Sequence, residues 1–101
     1  MNKWLVAILF SVSGASAFAT EQAVLDQYQK SCFACHAFGA NGAPKSHAVA
    51  DWASRLEEKG MDTLVKHADE GFNAMPPKGL CFDCSADDLK ALIEFMAAPK
   101  S

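Results

Sequence analysis

Apolar side chains recur along this chain at helical spacing, in four blocks separated by segments bearing glycine and proline. Val24, Leu25 and Tyr28 mark one face of a first helix, with Thr20 placed to cap it and an expected end near Ser31-Cys32. Val49, Trp52, Ala53 and Leu56 follow the i, i+3, i+4, i+7 pattern of a second helix closed by Gly60. Met61, Leu64, Val65 and Ala68 repeat that pattern, with Asp62 near the start and Gly71 past the end. Leu89, Leu92, Ile93 and Met96 line a last helix, opened by the capping-box-like Ser85-Ala86-Asp87-Asp88 and stopped by Pro99. Between these blocks, Phe38 to Pro44 reads as loop, and Ala74 to Cys84, with Pro76-Pro77 and Gly79, is non-helical. No stretch alternates with period two. The expectation is an all-α fold of about four helices, without internal repeat or second domain.

The N-terminus follows a different logic. One positive side chain, Lys3, precedes the continuous apolar run Trp4 to Phe10. Small residues and Ala17-Phe18-Ala19, an A-x-A-like cleavage site, come next, which is the layout of a secretory signal peptide. Residues 1–19 are therefore expected to be a signal and residues 20–101 the mature domain; Ala15-Ser16-Ala17 offers a second cut. No apolar run approaches the roughly 18 residues of a membrane span. Export implies the periplasm and an oxidising compartment, in which spare thiols pair.

Composition narrows the function classes. Nine Lys and Arg against twelve Asp and Glu give a net charge of −3, and loss of Lys3 makes the mature domain more acidic. Without basic blocks, nucleic acid is excluded as a partner. A chain of 101 residues has little core to build, and small domains of this kind are stapled by a disulfide, a metal or a cofactor. Four cysteines are available for the purpose.

Cys32-Phe33-Ala34-Cys35-His36 is C-x-x-C-H, the signature of c-type haem attachment. Thiols at i and i+3 lie on one side of a helical turn, where they reach the two vinyl groups on one porphyrin edge. His36 then falls beneath the iron as an axial ligand. The competing reading, a disulfide or catalytic C-x-x-C with an incidental His, lacks the strand–helix context such motifs need. A second ligand has to come from farther along the chain. Met61 and Met96 fall on apolar helix faces as core filler, and His47 and His67 are expected to be solvated helix residues. Met75 precedes Pro76-Pro77 in a rigid, non-helical segment, which suits a thioether that must not swing away. His/Met ligation leaves no open iron position and favours electron transfer over oxygen chemistry.

Cys81-Phe82-Asp83-Cys84 is a second C-x-x-C, followed by Ser85 in place of His, so one haem is expected. In a turn, Cα atoms at i and i+3 are within about 7 Å, compatible with a disulfide. A zinc site using both pairs is the alternative, although His36 to Leu80 is a long spacer for a zinc ribbon.

These motifs, together with Gly42-Ala43-Pro44, Trp52-Ala53-Ser54-Arg55 and Met75-Pro76-Pro77-Lys78-Gly79, resemble a small class I c-type cytochrome of the cytochrome c5 type, from about Tyr28 to Met96. The resemblance implies helices wrapped around one covalent haem c and a Cys81–Cys84 disulfide. It also implies a soluble or loosely membrane-associated electron shuttle. By the same likeness, the Pro44 carbonyl would accept a hydrogen bond from the second nitrogen of His36, and Trp52 and Arg55 would stand near the haem propionates. The expected partners are redox proteins, a membrane cytochrome complex and an oxidase or reductase, met transiently with charge steering the encounter by a monomer or weak dimer. Two other classes remain at this stage: an exported haem peroxidase or thiol redox enzyme, and a structural or metal-binding module without haem.

Overall fold

Thr20 caps the first helix among the described residues, its Oγ1 accepting the Ala23 N–H at 3.2 Å, and α1 spans Glu21–Gln27. The computed structural model describes residues 20–100; the signal-peptide reading of residues 1–19 lies outside them. The helix does not stop near Cys32 as expected. It passes through a π-helical turn, Tyr28–Cys32, into α2, Phe33–His36. Nothing between Tyr28 and Phe38 breaks a helix, and the glycine that follows, Gly39, takes a left-handed φ of 73° after the last turn.

The π-turn matters for direction. In an unbroken α-helix, position 36 would sit about 120° around the axis from position 24. A π-turn takes up one extra residue and so removes roughly one 100° step. His36 is thereby brought onto the face that carries Val24 and Tyr28, and all three are buried.

The second helix, α3 (Val49–Lys59), forms where its period places it but rolls differently. Val49 is 45% exposed and Ala53 is also exposed, whereas Trp52 is buried. The Trp52 indole donates its Nε1–H to the Lys45 carbonyl at 3.0 Å. This bond and the size of the ring set the roll of the helix, with Arg55 and Leu56 half-buried beside it. Gly60 separates α3 from α4 (Met61–Glu70), whose inward residues are the expected Met61, Leu64, Val65 and Ala68.

The last helix, α5 (Ala86–Ala97), opens on a complete capping box: Ser85 Oγ accepts the Asp88 N–H at 3.1 Å, and Asp88 accepts the Ser85 N–H at 2.9 Å. Leu89, Leu92, Ile93 and Met96 are all buried, so α5 is the central element of the core. Val24, Tyr28, Cys32, Trp52 and Ala68 pack around it with the sulfurs of Cys81 and Cys84. Among the described residues there is no strand, only an isolated bridge between Phe72 and Met75.

His47 departs from its expectation. It lies in the turn before α3, at a φ of 68°, not on a helix. Its N–H donates to the Met96 carbonyl at 2.6 Å and its Nδ1–H to the Ala98 carbonyl at 2.9 Å. The ring meets Phe95 edge-on, so His47 ties the end of α5 to the loop after Pro44.

Candidate functional site

The turn at α2 aims three chemically active side chains at one cleft. Cys32 and Cys35, i and i+3 across the junction, line it together with His36. They are not paired with each other; the disulfide joins Cys81 to Cys84, whose Cα atoms are 5.4 Å apart. That bond uses the thiols a zinc site would need, so the zinc alternative is dropped.

His36 is buried, and its Nδ1 lies 2.8 Å from the Pro44 carbonyl oxygen. A carbonyl only accepts, so Nδ1 carries the proton and Nε2 keeps its lone pair. Burial pushes the imidazole below its ordinary pKa, the bond to Pro44 opposes this, and the positive charge of Arg55 lowers it further. The result is a neutral, oriented imidazole with one free nitrogen, which is what a metal ligand requires. Burial also raises the Cys32 thiol above its usual range, against smaller opposing hydrogen bonds.

Met75 faces the same cleft from a separate segment. Its backbone is held in a two-bond turn, in which Phe72 N–H donates to the Met75 carbonyl at 3.0 Å and Met75 N–H to the Phe72 carbonyl at 2.8 Å. Phe72 is itself pinned: its ring stacks on His67 at 4.1 Å and lies 4.6 Å beneath the Lys59 ammonium. His67 is thus a packing residue of this turn, not merely a solvated one. Sequence reasoning passed over this support, because Phe72 stands outside every periodic block.

The cleft has an outer compartment of about 200 Å³ and an inner one of about 110 Å³. Cys32, His36, Arg55 and Met75 belong to both. The inner wall is Trp52 with the α5 residues Leu89, Leu92, Ile93 and Met96. Arg55 enters from α3 and donates one N–H to the Asp51 carbonyl at 2.8 Å, leaving the rest of its guanidinium for an anion. Trp52 contributes a ring face only, since its single N–H is spent on Lys45. An apolar slot with an imidazole nitrogen, a thioether sulfur, two thiols one helical turn apart and a cation fits a porphyrin with a central iron and acidic edge substituents.

Comparisons with known proteins identify the family. The family model described as cytochrome c oxidase, cbb3-type, subunit III matches residues 19–96. Cytochrome c5 of Ectopseudomonas mendocina is 43% identical over 84 residues, covering 82% of this chain and 97% of the relative. Cytochrome c5 of Azotobacter vinelandii is 48% identical over 73 residues, covering 71% of this chain and 88% of the relative. Among solved structures, a mono-haem ferrocytochrome c from Shewanella putrefaciens is similar at a TM-score of 0.67 and 50% identity, over 81% of this chain and 100% of that one. A chain in the crystal structure of an electron-transfer complex of nitrite reductase with cytochrome c is similar at a TM-score of 0.67 and 32% identity, over 78% of this chain and 95% of that one. With helices wrapped on a cleft of this chemistry and relatives of this similarity, the chain belongs to the class I c-type cytochromes of the c5 type, monohaem electron carriers with one covalently bound haem c.

Proposed function

We propose that residues 1–19 export the chain, with cleavage after Ala19, and that it serves in the periplasm as a one-electron carrier of a respiratory chain, not as an enzyme. The observation that carries this reading is the convergence of His36 and Met75 on the cleft that holds Cys32 and Cys35. When bound, the haem supplies a ferric/ferrous couple. Cys32 and Cys35 hold it through thioethers. His36, oriented by Pro44, offers Nε2, and Met75 offers its sulfur. Both donors sit on backbone fixed by hydrogen bonds, so neither has to move when the charge of the site changes. Arg55 would pair with a haem carboxylate, and Trp52 closes the inner wall. The Cys81–Cys84 disulfide fixes the chain between the Met75 segment and α5.

Exchange takes place at the open side of the outer compartment. Ala34, Ala40, Asn41, Asn73, Ala74 and Leu80 there carry no charge. Contact at these residues is apolar and amide in character, while the acidic balance of the whole chain steers the encounter at longer range. The partners are redox proteins: a membrane cytochrome complex as donor and an oxidase or reductase as acceptor. A reductase is favoured by the similar chain that is solved in complex with nitrite reductase. No helix among the described residues is long and apolar enough to cross a membrane.

The test is the absorption spectrum of the purified ferric protein. A weak near-red band from sulfur ligation is expected in the wild type and should vanish in Met75→Ala. Persistence of the band in that variant would reject Met75 as ligand. Peroxide turnover by the wild type would restore the enzyme reading.

A further inference from the structure

The segment after Met75 carries a lysine in a left-handed backbone conformation. Lys78, Gly79 and Leu80 follow one another at φ values of 57°, 55° and 70°. Two of the three are not glycine, and L-residues are held in the left-handed region only where their surroundings require it. This left-handed turn sends the Lys78 side chain back across the chain. Its Nζ donates to the Cys84 carbonyl at 2.8 Å and lies 3.4 Å from Asp69 Oδ1. The three groups come from three places. Cys84 ends the disulfide turn just ahead of the α5 cap, Asp69 is in the last turn of α4, and Lys78 is three residues from Met75. The same side chain also borders the inner compartment of the cleft.

We propose that Lys78 is a positioning residue for Met75: its ammonium fastens the Met75 segment to the disulfide turn and to α4, and so keeps the thioether at the iron. This rests on the reading of Met75 as axial ligand. The bond to the Cys84 carbonyl does most of the holding. It is charge-assisted and part-buried, whereas the contact with Asp69 joins side chains that are 33% and 48% exposed and is weakened by solvent. Tethering acts on the equilibrium between bound and released sulfur. A second ligand offered to the iron therefore competes better once the tether is cut.

The experiment is a titration of the ferric holoprotein with imidazole, followed optically. Lys78→Gln should raise the apparent imidazole affinity about tenfold, the scale of one hydrogen bond to a charged group. Lys78→Arg, which keeps a cationic donor of similar reach, should restore it, while Asp69→Asn should change it by less than about threefold. Lys78→Met gives the same comparison with the aliphatic stem retained if the Gln variant fails to fold. Wild-type affinity in Lys78→Gln or Lys78→Met, or no rescue by Lys78→Arg, would overturn the proposal. A full effect from Asp69→Asn alone would overturn the assignment to the Cys84 carbonyl. Met75→Ala serves as the reference: if it binds imidazole no better than the wild type, the ligand reading fails, independently of Lys78.

Discussion

Two glycines with nearly the same backbone conformation offer a controlled measurement of how the Met75 segment is held. Gly60 lies at φ 82°, ψ 159°, and Gly71 at φ 92°, ψ 150°. Both fall in a region open essentially to glycine, where a non-glycine residue costs about 1–3 kcal/mol. A Cβ at position 60 would meet nothing within 4 Å. A Cβ at position 71 would come within 3.2 Å of the Met75 carbonyl oxygen and the Pro77 nitrogen and 3.3 Å of the Pro77 Cδ. All three belong to backbone or ring and yield only if the segment itself moves. Gly60→Ala should therefore lose only the conformational cost, while Gly71→Ala loses that cost and also displaces Met75. Thermal unfolding of both holoproteins reads the first effect, at about 4–8 °C per kcal/mol for a domain of 60–100 residues. The near-red band of the ferric protein reads the second. The expected outcome is a lower midpoint in both variants, with the band intact in Gly60→Ala and weakened in Gly71→Ala. Equal bands in the two variants would refute the claim that Gly71 sets the approach of the Met75 segment.

Two further substitutions test the walls of the cleft. Trp52→Phe removes the bond to the Lys45 carbonyl and should cost about 0.5–1.5 kcal/mol in thermal unfolding while leaving the reduction potential unchanged; a clear fall in potential would show that the indole N–H serves a haem carboxylate instead. Leu92→Ala, at one of the most deeply buried positions in the chain, should cost about 2–5 kcal/mol, and a loss below about 1 kcal/mol in denaturant unfolding would mean that the inward face of α5 is not closely packed.

Much of this was legible before any coordinates. Leu89, Leu92, Ile93 and Met96 announced α5 because a buried helix must repeat its apolar residues every three or four positions, and Ser85 with Asp88 marked its start. That Cys32, Cys35, His36 and Met75 belong together was legible for a different reason: the C-x-x-C-H spacing and a methionine before Pro76-Pro77 single them out, and the structure brings all four to one cleft. What stayed hidden depended on conformation more than on composition. The helical stretch from Ser31 to His36 has no apolar period to reveal it, since its buried side chains are a serine, a cysteine and a histidine. Val49 and Ala53 fit a helical stripe yet face outward, because Trp52 and its hydrogen bond, not the count of apolar residues, set the roll of α3. The supports of Met75, namely the clamped Phe72, the glycine at 71 and the reach of Lys78, depend on backbone angles that no pattern of residue types encodes.

The face that α5 turns inward is shared: Leu89, Leu92, Ile93 and Met96 belong both to the packed interior and to the inner wall of the cleft. A bound cofactor would then complete the packed interior as well as the site. A copy that misses it is left with its central helix facing a gap and should open more readily to proteases. Degradation would act as quality control without a dedicated inspector, leaving a surviving population enriched in loaded carriers.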